Sequence, residues 1–292
     1  MTATLTSAGL TWLPSGQAML AGPLQQLFLE CDTALAALAG DTGAEPAEHP
    51  VFLAVDDLER INYLASFPHL ATFPVTLEES GLPAFAADPV DESGAVRLRG
   101  ISPVRNVITP AACYHVYVQL RDQRIEGPRY LTFRNTCVRR ETEYQPLRRQ
   151  WSFRMREIVC LGSRAQVKAF LDRYRDLVSG LLIELGLEVS WQIATDPFFQ
   201  PSRNPAYLAQ RLNPTKHEAV FGGDLAIASV NLHEDHFGEA FSISTDEGPV
   251  SSGCVAFGLE RWLYAITTRY GADPANWPDP VAAAGRVLER HR

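Results

Sequence analysis

Two long runs of β-branched and aromatic residues, "RYLTFRNTCVRRE" and "WSFRMREIVCLG", stand on either side of the charged segment "TEYQPLRRQ". Strand-forming runs this close in sequence pair as an antiparallel hairpin, and this one carries arginines on both strands and in its loop. The hairpin constrains everything around it, because the segments that follow do not alternate strand with helix. Ser163 is placed to cap a helix whose Val167, Phe170, Leu171, Tyr174, Val178, Leu181, Leu182 and Leu185 share one face, with Gly186 closing it. "EVSWQIA" then reads as a strand, "SRNPAYLAQRLNP" as a short helix between prolines, and "AVFGGDLAIASVNLHEDHFGEAFSIST" as further β structure. "SSGCVAFGLERWLYA" leads through a glycine into an amphipathic helix. Upstream, Leu24, Leu27, Phe28, Cys31, Leu35 and Leu38 share a face of a helix over 23–39, "VFLAV" is a short buried strand, and "DDLERINYL" starts a helix. Residues 66–95 read as loop with an edge strand, and "CYHVYVQL" as a strand. This order predicts an α+β fold, an antiparallel sheet flanked by helices. Neither GxxxxGK[ST] nor a GxGxxG after a strand is present, so P-loop and dinucleotide-binding folds have no support.

At 292 residues the chain is sized for one principal domain, here drawn across 1–292. Its formal charge of −8 argues against a broad basic surface for nucleic acid. Positive charge is instead concentrated: Arg134, Arg139, Arg140, Arg148, Arg149, Arg154 and Arg156 lie within 23 positions, and lysine is nearly absent. The five cysteines form no CxxC pair, which fits a reduced, cytoplasmic setting rather than a disulfide framework. No apolar run is long enough for a membrane span, and the start of the chain has no signal-peptide pattern.

An Arg and a Glu on one strand, an arginine loop and an aromatic on the return strand can grip a nucleoside triphosphate. The Arg pairs with phosphate, the Glu accepts from an amino group and the ring stacks on a base. At these residues the chain resembles class II aminoacyl-tRNA synthetases. "TCVRRE" with "QWSFRMRE" is similar to their motif 2, about 132–160, and "SSGCVAFGLERW" to motif 3, about 251–269. The chain resembles more closely the catalytic core of the zinc-dependent seryl-tRNA synthetases of methanogens. It is similar above all to their truncated relatives, the amino acid:[carrier protein] ligases. Those enzymes carry no tRNA-binding domain, and load glycine or alanine onto the phosphopantetheine arm of a small carrier protein. The resemblance covers roughly residues 50–270 and includes "PAACYHVY".

The resemblance implies a role for each matching position. Arg139 would hold the ATP α-phosphate and the substrate carboxylate, Glu141 the adenine amino group, and Phe153 one adenine face. Arg149 would meet the outer phosphates, and Arg261 the other adenine face and the γ-phosphate, with Mg2+ sharing the phosphate charge. Cys113, Glu157 and Cys254 match the family's zinc ligands, and the fourth Zn2+ position would take the substrate's α-amino group. Cys31 and Cys137 are read as packing residues, the usual fate of cysteine. Asn231, His233 and Asp235 in "NLHEDHFG" are pocket candidates, although strand alternation keeps that run from converging without a bulge. Glu218 is a magnesium or pocket carboxylate.

The partners implied are a small acidic carrier protein, the amino acid and a second copy of the chain as a homodimer, with no tRNA expected. Motif 1, which shapes that dimer, would occupy helix 23–39 and "VFLAV", where the strand has no internal proline. The helical insertion at about 202–214 belongs to no motif, and its Arg203 and Arg211 are candidate carrier contacts. A tRNA-charging enzyme and a non-catalytic synthetase relative are the alternatives.

Overall fold

The structure, a computed structural model, describes residues 5–291. The arginine hairpin forms, and it sits inside a seven-stranded sheet. Its strands are β1 (Glu45–Pro46), β2 (Arg129–Val138), β3 (Ser152–Gly162), β4 (Val189–Ile193), β5 (Lys216–Phe221), β6 (Leu225–Glu234) and β7 (Ser251–Gly258). Their spatial order is β1-β2-β3-β7-β6-β5-β4. Every neighbouring pair is antiparallel except β1 with β2, so the sheet is mixed by one short parallel edge strand.

Helices α1 (Gly22–Ala39), α3 (Arg164–Glu184), α6 (Leu259–Tyr270) and α7 (Pro280–His291) cover one face and bury the larger apolar cluster against it. The N-terminus of α3 carries the reciprocal cap that its sequence promised: Ser163 accepts from the Gln166 backbone, and the Gln166 side chain accepts from the Ser163 N–H. Gly253 explains how closely α3 approaches. A Cβ there would lie 2.8 Å from Val167 Cγ1 and 2.9 Å from the Asn231 carbonyl, so only glycine fits. The opposite face is covered at one side by a second cluster built from residues 53–137 and 237–256, and is otherwise open.

Several segments differ from the sequence reading. "CYHVYVQL" forms a helix, α2 (Tyr114–Gln119), despite its strand-forming composition. It lies over the open face of the sheet and buries His115, Val116 and Tyr117, and that burial outweighs intrinsic preference in so short a segment. "VFLAV" contributes only Phe52–Ala54, which pairs with Asn106–Ile108 in a separate ribbon before a helix starts at Val55. The helix expected in "DDLERINYL" breaks in two at Asn62, which takes a left-handed φ of 53°. Residues 66–95 contain a short helix, Leu82–Ala87. The run after β6 turns into helix α5 (His236–Ala240) instead of continuing as strand. Between β4 and β5 the proline-bracketed helix appears as α4 (Pro205–Leu212). No helix among the described residues is long and apolar enough to cross a membrane.

The arginine cluster is divided between the two faces of the sheet. Strand alternation turns Arg134 and Arg156 towards α1, where both pair with the buried Asp32 at 2.8 Å. Arg154 points the same way, its guanidinium 4.2 Å from the Phe28 ring centre. These arginines therefore fasten helix to sheet, and the cavity receives a different subset. Asp32→Ala should strand the Arg156 guanidinium, whose side chain is 12% exposed, in a largely dry contact, and lower stability by about 3 kcal/mol. Urea unfolding measures this, and a loss below about 1 kcal/mol would class the contact with ordinary surface pairs.

Candidate active site

The open face of the sheet floors a cavity of about 920 Å³. Alternation decides what faces it: Phe153, Met155 and Glu157 from β3, Cys254 and Ala256 from β7, Ser229, Asn231 and His233 from β6, and Lys216 and Glu218 from β5. Register sets these in rows. Glu157 lies opposite Ala256, Ala256 opposite Ser229, and Ser229 opposite Glu218. One step along, Cys254 lies opposite Asn231 and Asn231 opposite Lys216.

Helix α2 brings a third donor to this floor. Cys113 immediately precedes it, and its sulfur, the Cys254 sulfur and a Glu157 oxygen all lie within 4.8 Å of one another. All three residues are buried, and Glu157 Oε2 has no hydrogen-bond partner. Burial pushes the Glu157 carboxyl well above its usual range, with the Cys254 charge adding to the effect. The Cys113–Cys254 contact holds the Cys254 thiol well below its ordinary value and raises that of Cys113, so Cys254 is the more acidic sulfur. Asn231 Nδ2 lies 3.3 Å and His233 Nε2 3.6 Å from the Cys254 sulfur, while Tyr117 Oη and Ser252 Oγ flank His233 Nδ1 at 3.0 and 3.2 Å. Two sulfurs and an orphaned carboxylate crowded in a dry pocket suit a thiophilic divalent cation. Such an ion would have three protein ligands and one open position.

The same cavity holds two half-buried guanidiniums. Arg139 donates to the Pro110 carbonyl at 2.6 Å and lies 5.3 Å from the Phe153 ring centre. Arg261, at the start of α6, donates to the carbonyls of Arg148 at 2.9 Å and Ala226 at 2.8 Å. Among the described residues neither is in an ion pair. Burial lowers the Arg261 pKa, and repulsion from Arg139 and Arg149 lowers it further. Burial opposes the Arg139 charge as well, but Cys137, Tyr63 and Tyr114 leave that guanidinium net raised. Cations that repel one another across a cavity constitute a site for a polyanion. Arg149 and Glu141 lie at its edge, 3.8 Å apart.

The chain matches no family model. It is 31% identical over 266 residues to amino acid–[acyl-carrier-protein] ligase 1 of Bradyrhizobium diazoefficiens, covering 88% of this chain and 81% of that protein. The chain belongs to the amino acid–[acyl-carrier-protein] ligase family. It is therefore an enzyme, a ligase. A type-2 serine–tRNA ligase of Methanothermobacter thermautotrophicus is 26% identical over 269 residues, which span 83% of this chain and 51% of that one. Among solved structures, M. kandleri SerRS in complex with A. aeolicus tRNASec superposes with a TM-score of 0.81 at 20% identity. That match covers 99% of this chain and 60% of the other, and it establishes a shared class II synthetase fold.

Most residues singled out from the ligase sequence line this one cavity: Cys113, Arg139, Glu141, Arg149, Phe153, Glu157, Glu218, Asn231, His233, Cys254 and Arg261. Asp235 does not. The pairing of β6 with β7 shifts at His233, where a bulge forms, and Asp235 emerges exposed at the start of α5. The pocket candidates from that run are thus Asn231 and His233 without Asp235. Arg203 and Arg211 are also outside, exposed around α4, whose Ala206, Ala209 and Gln210 face the cavity.

Two groups in the enzyme had escaped the sequence reading. Glu260 is buried and accepts from the Arg154 backbone N–H at 2.9 Å and from Arg154 Nε at 2.7 Å. This pair ties the start of α6, which carries Arg261, to β3, which carries Phe153. Its signal was an acidic residue inside "GLER", next to the arginine already noted. Lys216, with Asp196 and Gln210, forms a second polar cluster at the cavity wall. The scarcity of lysine was its only trace.

The purified enzyme should carry about one divalent transition-metal ion per chain. Cys254→Ser should make that content substoichiometric with far-UV circular dichroism unchanged. Elemental analysis showing a full complement in the variant would remove Cys254 from the ligand set.

Proposed function

We propose that the enzyme activates a small amino acid, glycine or alanine, with ATP, and transfers it to the phosphopantetheine thiol of a carrier protein. One observation carries this reading. Two half-buried guanidiniums, in no ion pair among the described residues, and an aromatic ring share a single cavity with a three-donor cluster suited to a metal, which provides for a polyanion and an amine side by side. The relatives named as amino acid–[acyl-carrier-protein] ligases support the choice of acceptor.

In this reading a substrate carboxylate oxygen attacks the α-phosphorus, the bond to the β-phosphate oxygen breaks and pyrophosphate leaves. The carrier thiol then attacks the carbonyl carbon of the adenylate, and AMP leaves as the thioester forms. Arg139 orients the carboxylate and neutralises charge developing at the α-phosphate. Arg261 and Phe153 clamp the adenine, Glu141 accepts from its amino group, and Arg149 draws the outer phosphates with Mg2+. Zinc, held by Cys113, Glu157 and Cys254, would supply an open coordination position for an unprotonated α-amine. Glu218 is already paired with Lys216 at 3.3 Å, so we assign it to the pocket wall rather than to magnesium.

The acceptor reading places an acidic carrier protein on the outer side of α4. Its inner face lines the cavity, while Arg203 and Arg211 remain exposed around it. A phosphopantetheine arm anchored there starts at the cavity mouth. A homodimer belongs to the same reading, and exposed apolar residues such as Phe52, Phe73, Leu82, Val96 and Ile101 suit contact with a second copy. No tRNA enters the scheme. Five free, buried cysteines agree with a cytoplasmic setting.

Arg139→Ala and Arg261→Ala should each slow amino-acid-dependent ATP–pyrophosphate exchange by at least about 10²-fold. Exchange at the wild-type rate in either variant would locate the triphosphate elsewhere. Arg203→Glu combined with Arg211→Glu should leave exchange untouched and raise the KM for the carrier, most clearly at low salt where steering is strongest. Carrier kinetics equal to wild type at low salt would move the docking surface to another edge of the cavity.

A further inference from the structure

The chain contains two lysines, Lys168 and Lys216, and the second is built into the cavity wall. Register makes it the third position of a row that runs from the metal donor Cys254 through Asn231 to Lys216, on adjacent strands β7, β6 and β5. Two strand spacings put its backbone about 10 Å from that of Cys254. An amine held in front of Cys254 thus directs any side chain lying along this row towards Lys216.

The ammonium is fixed rather than free. Its Nζ lies 2.9 Å from Asp196 Oδ1 and 3.3 Å from Glu218 Oε1. Asp196 is itself clamped by Gln210 of α4, whose Nε2 donates to Oδ2 at 2.8 Å while the Asp196 N–H donates to Gln210 Oε1 at 2.9 Å. Burial favours neutral lysine, but Asp196 and Glu218 more than offset it and hold the pKa above the ordinary value. An ammonium has three donors and the two carboxylates take two, so one N–H remains for the cavity.

We propose that Lys216, held by Asp196 and Glu218, is the specificity-determining wall that restricts the pocket to amino acids with little or no side chain. A hydrogen or a methyl group leaves the ammonium hydrated. An extended apolar chain along the Cys254–Asn231–Lys216 row displaces that water and offers no acceptor in return. Pocket volume alone discriminates poorly between hydrocarbon side chains, whereas a fixed charge at the end of the row penalises each further methylene that reaches it. This inference rests on the amino-acid activation reading given above.

ATP–pyrophosphate exchange with glycine, alanine, valine and leucine tests it in the wild type, Lys216→Met, Lys216→Met with Asp196→Asn, and Lys216→Arg. Methionine keeps the length and removes the charge, and the double variant also removes the nearer of the two carboxylates that the lysine had neutralised. Metal content and thermal melting verify that each variant is folded. The leucine-to-glycine ratio of kcat/KM should rise by at least about 10-fold in the two methionine variants and stay near the wild-type ratio in Lys216→Arg. An active wild type whose ratio is unchanged in folded methionine variants overturns the inference alone. Equal loss of exchange with all four amino acids also overturns it, since Lys216 would then serve the reaction rather than the choice of substrate. A wild type that exchanges with none of the four overturns the activation reading, and this inference with it.

Discussion

The organisation of the molecule depends on the two-residue alternation of β3 and β7, adjacent strands at the centre of the sheet. Odd and even positions of β3 meet different environments: Arg154 and Arg156 face α1, and Phe153, Met155 and Glu157 face the cavity. In β7, Val255 and Phe257 enter the helix-side core while Cys254 and Ala256 face the cavity. A slip of one residue in β3 would turn Arg154 and Arg156 into the cavity and Glu157 towards the helices, and a slip in β7 would turn Cys254 away from the cavity. The register is therefore defended on the helix-covered face, by packing against α3 and α6 and by the Asp32 and Glu260 ion pairs.

Those two acidic residues divide the work between stability and geometry. Asp32 holds a helix to the back of the hairpin, so its effect is felt as cohesion. Glu260 joins the hairpin to the first turn of α6, which carries Arg261, so its effect is on the width of the cavity there. Arg148 supports the same end from the hairpin loop, bonded to Asp224 at 2.7 Å and stacked on Tyr264. With the loop, the sheet and the helix cross-linked, the two cavity guanidiniums are held by backbone carbonyls and, among the described residues, by no ion pair. The Arg139 charge helps to lower the Arg261 pKa, so these cations already share one cavity in the free protein.

Much of this was legible in the sequence, and the reasons are periodic ones. The long hairpin, the capped helix α3 and the glycine-led helix α6 all repeat their apolar residues over enough turns or pleats to declare themselves. The three members of the Cys113, Glu157 and Cys254 cluster and the cavity arginines could be chosen from their motifs, because each motif is a continuous stretch. What stayed hidden depends on contacts between distant segments. Six residues of α2 are too few to show a period, so burial decided their conformation. A bulge at His233 reverses the facing of everything after it, and nothing in "NLHEDHFG" marks the extra residue. The Lys216 cluster draws on β5, α4 and the segment before α4, and no local pattern links them. The division of the arginine cluster was available from simple alternation, but only once the hairpin's outer face was known to be covered by a helix.

The ligand set joins positions 113, 157 and 254, and so spans nearly half the chain. During synthesis the first two donors emerge long before β7, which inserts between β3 and β6 to complete the floor. Until then the hairpin has an open edge and Glu157 has no sulfur from Cys254 beside it. Central-strand insertion of this kind brings together contacts of large sequence separation and is a slow step in folding. A metal that binds the assembled triad recognises only a chain that has finished this insertion. By mass action it then draws the population towards that end state. The cluster of Cys113, Glu157 and Cys254 is thus a product of the completed sheet, absent from any chain in which β7 has yet to insert.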